Sequence, residues 1–492
     1  MQYRNPIIPG FFPDPSICRV GGSYYLVCSS FQFFPGVPLF ESQDLLNWTQ
    51  IGHVLTRPSQ LPLDDADSAG GIYAPTIRFH NGRFYMVTTN VTHGGNFYVY
   101  TDDIHGAWSD PIYVQQDGID PSLYFEDGHA YFMSNGTDDA GEHGIVQCEI
   151  DIATGKKLSP AVCIWKGTGG RFLESPHLYR IGGHYYLMAS EGGTEYGHMV
   201  VYARSRSLYG PYEAAPCNPV LTNRNLGGYE LQGCGHADLT DDGNGNWWMV
   251  HLGFRQIHQW VMHHLTGREV YLAPVTFTED GWFTAGVDGT NRLTVETDRL
   301  PATEQKPLPD ITFQNSRIGR EWCYLKAPRL TDYRWENGTV SLRSAGITLD
   351  DPKAAPTFLG IRQQEMELAI RCTVKVPAQE AGLTLYMTPE QHYELAVRDG
   401  RAFYRLRVGD LCQEFGSVPV EGEAELIIEA HPLSYTFKVR TGGTEQTLGS
   451  AQSKYLSTEI AGNFTGLMIG LYAQGERCEE FAEFTDFCCH VR

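Results

Sequence analysis

The sequence has little positive charge, no long apolar run and no paired-cysteine spacing, and each deficit removes a class of function. Lys and Arg number 37 against 58 Asp and Glu, a formal net charge of −21. That balance opposes binding to a phosphate backbone or an anionic membrane and leaves a neutral or cationic substrate. No stretch approaches the ~18 apolar residues that cross a bilayer, and the opening MQYRNPIIPGFFPDP lacks the basic-flanked apolar core of a leader peptide. A cytoplasmic location is therefore expected, and the Asn-x-Ser/Thr triplets at Asn47, Asn90, Asn135, Asn337 and Asn463 carry no glycan meaning there. The 12 Cys include no CxxC pair, and Cys18, Cys28, Cys148, Cys163, Cys234 and Cys372 sit in apolar strand-like runs, as reduced core thiols do.

What the sequence has is rings and turns. Aromatic residues make up 12%, and 53 Gly and 27 Pro are spread along the chain, the punctuation of many short strands. At ~100–200 residues per domain the 492 residues allow two to four domains, and the pattern divides into two.

The first three hundred residues carry a repeat. DPSI (14–17), APTI (74–77), DPSL (120–123), SPHL (175–178) and HADL (236–239) share a polar or small start and an aliphatic end. Each is followed by a turn and an aromatic run, such as Asn81-Gly82-Arg83-Phe84-Tyr85-Met86 or Asp127-Gly128-His129-Ala130-Tyr131-Phe132. Asn-Gly, Asp-Gly and Gly-Gly between apolar runs signal tight hairpins. Five such units at blade-like spacing predict an all-β fold beginning with a five-bladed β-propeller over residues 1–298. Residues 299–309 read as a polar linker. From 310 to 492, period-two runs such as Glu367–Val376 and Tyr393–Val397, one pair joined by Asp399-Gly400, predict a β-sandwich of jelly-roll, concanavalin-like type.

In a propeller the equivalent positions of the repeat ring the central channel. The first letters are Asp14, Ala74, Asp120, Ser175 and His236, with Glu174 one residue upstream in the fourth unit. Asp before Pro is common in turns, and Pro restricts the residue before it to extended backbone. Turn chemistry does not explain why three acids share the channel, where they repel and lose hydration. A protonated and an ionised carboxyl in one pocket are what glycosidic bond cleavage requires, ~6.5–9.5 Å apart for inversion. A third carboxyl beside the acid can raise its pKa. His236 reads either as a satisfied interior imidazole or as a group holding water or a cation on the axis.

The segments Phe12-Pro13-Asp14-Pro15-Ser16, Phe34-Pro35-Gly36-Val37, Ser42–Trp48, Ile119-Asp120-Pro121-Ser122-Leu123 and Leu173-Glu174-Ser175-Pro176-His177-Leu178 together resemble glycoside hydrolase family 43, in its β-xylosidase and α-L-arabinofuranosidase branch. The likeness covers nearly the whole chain. It implies inversion, with Asp14 as general base, Glu174 as general acid and Asp120 tuning and orienting the acid. Where that branch often has Glu-Gly-x-His, this chain has Glu174-Ser175-Pro176-His177. The resemblance further implies that Phe31 and Tyr73 line the sugar pocket, that Arg268 hydrogen-bonds the sugar and the third carboxylate, and that Phe464 closes the pocket from the second domain. No cofactor is required by it. A water-coordinated calcium can occupy the channel beside His236, and homo-oligomers are common among such proteins.

The function expected is an exo-acting hydrolase releasing terminal β-D-xylose, or α-L-arabinofuranose, from xylo-oligosaccharides. The oligosaccharide is the expected partner, with no nucleic acid and no membrane. The alternatives are a non-catalytic carbohydrate-binding propeller, which would need the aromatic residues but not the acid trio, and an arabinan-directed hydrolase.

Overall fold

A computed structural model describes residues 1–314, 317–377 and 379–492. Five four-stranded antiparallel sheets form the propeller. Their inner strands are Ser16–Val20, Thr76–His80, Ile119–Glu126, Glu174–Ile181 and Leu231–Asp241, each overlapping its repeat motif. These five touch in succession round the ring, the last against the first. The hairpins follow from the turn residues. Asn81-Gly82, Asp127-Gly128 and Asp399-Gly400 take positive φ at both positions, the conformation that matches a two-residue turn to the twist of its strands.

The period-two pattern buries both faces of each blade against its neighbours. Met86, Phe97 and Val27 share one inter-blade cluster, Val87, Phe132 and Cys148 the next, and Leu187, Ile145 and Val201 the one after. The N-terminal strand Gln2–Arg4 pairs with Thr294–Glu296, which brings the two ends of the propeller segment together.

Two sheets, of eight and seven strands of its own, make the second unit. One alternates cleanly, as in Ser434–Thr441, where Tyr435, Phe437 and Val439 point inward. The other is buried on both faces over Glu380–Thr388 and Gln391–Arg398, because its outer face packs on the propeller. Phe358, Tyr386, Phe403 and Tyr472 meet Phe11, Phe31 and Phe33 there. The two-residue strand Phe33–Phe34 of the propeller pairs with Cys323–Leu325 and so extends the sandwich sheet. The single α-helical turn among the described residues, Thr458–Ala461, precedes the loop that carries Phe464.

Candidate active site

The repeat positions at the mouth of the channel have a left-handed backbone. Asp14, Asp120, Ser175 and His236 have φ of 57°, 52°, 53° and 46°, a region that costs a non-glycine residue about 1–2 kcal/mol. Three of them precede proline, where the sequence led to extended backbone, and the structure corrects that expectation. The strand ladders slip at the same points, between Ile119 and Ser122, between Glu174 and His177 and around Gly235. Such bulges re-aim side chains. Here they bring Asp14, Asp120, Glu174 and His236 to one small cavity. Ser175 holds the left-handed position of the fourth blade, so the acid there comes one residue earlier.

The three carboxyls have different partners. Asp14 accepts from Ser29 Oγ at 2.5 Å and from Arg268 Nη1 at 2.9 Å. Asp120 accepts from the backbone N–H of Ser175 at 3.2 Å. His236 Nδ1 stands between them, 3.7 Å from Asp14 and 3.8 Å from Asp120. Arg268 does not bond the third carboxylate, as the family resemblance implied. Its backbone carbonyl accepts from Phe12 N, which holds the residue beside the Asp14 segment, and its guanidinium reaches Asp14 and Thr194 Oγ1, each at 2.9 Å. Nη2 of Arg268 is buried without a protein partner, a donor available to a ligand hydroxyl.

These surroundings push the acids apart. Burial opposes ionisation of Asp14, but Arg268, His236 and the Ser29 hydroxyl outweigh it and hold the carboxyl below its ordinary value. Burial also keeps the His236 imidazole below its ordinary value, so the permanent cation acting on Asp14 is Arg268. Glu174 is pushed up to about 7 by burial and by the charge of Asp14. Asp120 is raised well above the carboxylate range by burial, Glu174 and Asp14. Asp120 and Glu174 together thus retain a proton where Asp14 has lost its own.

The inner cavity is about 40 Å³, room for roughly three water molecules, and Phe31, Tyr73 and Phe464 wall it. Phe464 from the sandwich stacks on Phe31 with ring centroids 5.6 Å apart, meets Tyr73 edge-on at 5.5 Å and lies 5.0 Å from the Arg268 guanidinium. Beyond it an outer cavity of about 560 Å³ opens between the propeller and the sandwich. Glu174 lines both cavities, whereas Asp14 and Asp120 line only the inner one.

Sequence reasoning missed Ser29, Thr194 and His198. Ser29 and Thr194 act through hydrogen bonds from positions outside the repeat motif, and no spacing marks them. His198 packs its ring on the backbone of Gly235, where a Cβ would come within 2.3 Å of the imidazole; glycine at 235 is the one local signal of that approach.

The protein oxygens nearest His236 are the carboxylates of Asp14 and Asp120, so a calcium ion there, with its 6–8 oxygen ligands, would draw most of them from water. Among the described residues no three His, Cys, Asp or Glu side chains are arranged to hold a metal. The next carboxylate along the channel, Asp238, has both oxygens engaged by Arg78, Ser16, Tyr179 and backbone N–H groups.

Comparison with known proteins gives the same direction as the geometry. Residues 3–283 match the model of glycosyl hydrolases family 43, and residues 310–489 match that of the beta-xylosidase C-terminal concanavalin A-like domain. The chain is 39% identical over 493 residues to a non-reducing end alpha-L-arabinofuranosidase, BoGH43B, of Bacteroides ovatus, covering 96% of this chain and 91% of that one. It is 37% identical to a xylosidase/arabinosidase of Butyrivibrio fibrisolvens, covering 98% of both. Among solved structures, the Bacteroides ovatus xyloglucan-locus GH43B superposes with a TM-score of 0.94 at 36% identity over 100% of each chain.

Proposed function

The chain belongs to glycosyl hydrolases family 43, and from that premise we propose an exo-acting, inverting hydrolase that releases terminal β-D-xylose or α-L-arabinofuranose from short oligosaccharides. The observation that carries the proposal is the opposite perturbation of Asp14 and Glu174 across one cavity. Glu174 donates its proton to the glycosidic oxygen as the bond from C1 to that oxygen breaks. A water attacks C1 from the opposite face, and the Asp14 carboxylate takes the proton it releases. Asp120 accepts from the Ser175 N–H beside Glu174, and the two carboxyls, both raised, retain a proton as a coupled pair. Arg268 keeps Asp14 ionised and offers Nη2 to the sugar.

The two cavities support exo action. The inner one is walled by Phe31, Tyr73 and Phe464 and admits no chain beyond it, so the sugar that reaches the acids must be terminal. The leaving group lies on the side of the acid, and the outer cavity that Glu174 lines is there to receive it. Its size falls in the range of about 300–1,000 Å³ typical of ligand sites.

The test uses nitrophenyl β-xyloside and nitrophenyl α-arabinofuranoside with the unaltered enzyme and two variants. Colour from at least one substrate is expected; none from folded protein would favour the sugar-binding reading. Glu174→Ala should abolish cleavage of xylo-oligosaccharides, losing the ~10²–10⁴-fold that a general acid supplies, yet retain more activity on the acidic phenol, which departs with little protonation. Asp14→Ala should fail on both. Equal losses for Glu174→Ala on both substrates would overturn the assignment.

A further inference from the structure

Two to four residues further along the same inner strands, a second constellation crosses the channel. Ser16 follows Asp14, Arg78 follows Ala74, His177 and Tyr179 follow Ser175, and Asp238 follows His236. At ~3.3 Å per strand residue this is roughly 7–13 Å along the strands. Asp238 is fully buried. Its Oδ2 accepts from Ser16 Oγ at 2.6 Å, Arg78 Nη1 at 2.7 Å and Ile17 N at 3.0 Å. Its Oδ1 accepts from Arg78 Nη2 at 3.1 Å, Leu239 N at 2.9 Å and the Tyr179 hydroxyl. Nη2 of Arg78 also donates to His177 Nδ1 at 2.8 Å. Because a guanidinium only donates, this fixes His177 with its proton on Nε2.

The charge at this level is balanced without an ion. Asp238 supplies one negative charge and Arg78 one permanent positive charge, and burial holds His177 neutral, down to about 3. A divalent cation at this level would meet a guanidinium fork where it needs oxygens, and the carboxylate it needs is saturated. The remaining hydroxyls, Ser122 Oγ and Ser175 Oγ, are buried without partners but are uncharged.

We propose that Arg78 is the built-in cation of the propeller axis, neutralising the buried Asp238 without a metal ion, and that it is a positioning residue for the reaction. Its fork joins four blades at once: the strands that carry Ser16, Arg78 itself, His177 and Asp238. Three of these strands are those that follow or contain Asp14, Glu174 and His236, so the fork fixes the relative heights of base, acid and imidazole. The positioning role rests on the catalytic roles proposed above; the identity of the axial cation does not.

The test compares unaltered enzyme, Arg78→Ser and Arg78→Lys after dialysis against a chelator and again with added calcium, reading bound metal, Tm and kcat/KM. The unaltered enzyme should carry no stoichiometric metal and should keep both Tm and kcat/KM through chelation and calcium addition. Arg78→Ser leaves Asp238, Ser16 and Tyr179 facing vacated space. Its kcat/KM should fall by about tenfold to a hundredfold, the cost of slightly misplaced reacting groups, and calcium should bind, raise its Tm and recover part of the activity. Arg78→Lys keeps the charge and should remain insensitive to the chelator. Chelation that inactivates the unaltered enzyme, with recovery on calcium, would overturn the proposal, and this arm needs no variant to fold. So would Arg78→Ser with unaltered kcat/KM, or with losses that calcium leaves untouched. Stable metal-free enzyme that cleaves neither nitrophenyl substrate would count against the proposed function, while the metal and Tm readings would still decide the identity of the axial cation.

Discussion

Asp14 and Glu174 differ less in chemistry than in company. Each is a carboxyl largely removed from water, yet Asp14 faces a guanidinium and a hydroxyl, while Glu174 has burial and the Asp14 charge against its ionisation. The pH profile of kcat/KM follows with its sign. Activity requires Asp14 ionised and Glu174 protonated, so the acid limb lies below the ordinary Asp value and the basic limb near 7, above which activity falls tenfold per unit. A basic limb at ordinary glutamate values in the pH–rate profile would contradict this assignment. The trio was legible in the sequence because the repeat marks it: Asp14 and Asp120 recur at one position, and Glu174 sits one residue from it. The partners that give each acid its role were not legible. Ser29, Thr194 and the Arg268 contact with Asp14 arise from loops that the repeat does not index, and the contact between residues 268 and 14 spans most of the propeller.

At the scale of elements, the loop Gly462–Thr465 decides the shape of the site. The helical turn Thr458–Ala461 is held to the propeller by Glu459, whose carboxylate accepts from His264 N and pairs with His264 Nδ1 at 2.7 Å, while Tyr196 donates to it at 2.9 Å. Asn463 has a φ of 65°, and the following Phe464 then reaches over Phe31. Phe464 is only half-buried, and its neighbours in the cavity wall are aromatic faces rather than a closed core. Phe464→Ala is accordingly expected to lower kcat/KM by about tenfold or more, since opening the wall admits water to the acids, while stability falls by about 1 kcal/mol, the scale of one aromatic pair. A loss of ~3–5 kcal/mol, as for a core phenylalanine, with unchanged catalysis per folded molecule would return Phe464 to a packing role. Hairpins such as Asn81-Gly82 could be read from two residues because the turn is local. The pairing of Phe33–Phe34 with Cys323–Leu325 could not, since nothing near either segment specifies a partner some 290 residues away.

At the scale of the whole molecule, the two folds are one device. The propeller brings carboxyls from three blades to a single axis, and the sandwich gives up the solvent face of one sheet to cover the mouth. That doubly buried sheet explains why the run Glu380–Thr388 lacks an exposed polar face although its period is that of a strand. The propeller itself was legible from five recurrences of one tetrapeptide; the face on which the sandwich docks was not, because an interface between two β domains leaves no periodicity of its own. The central claim, that Glu174 and Asp14 act on opposite faces of one terminal sugar, makes a stereochemical demand on the enzyme as a whole. Proton spectra recorded in the first minutes of β-xyloside hydrolysis test it most directly. The account predicts that α-xylose appears first and the β anomer only as mutarotation proceeds. Initial release of β-xylose would require a covalent glycosyl intermediate and would contradict it.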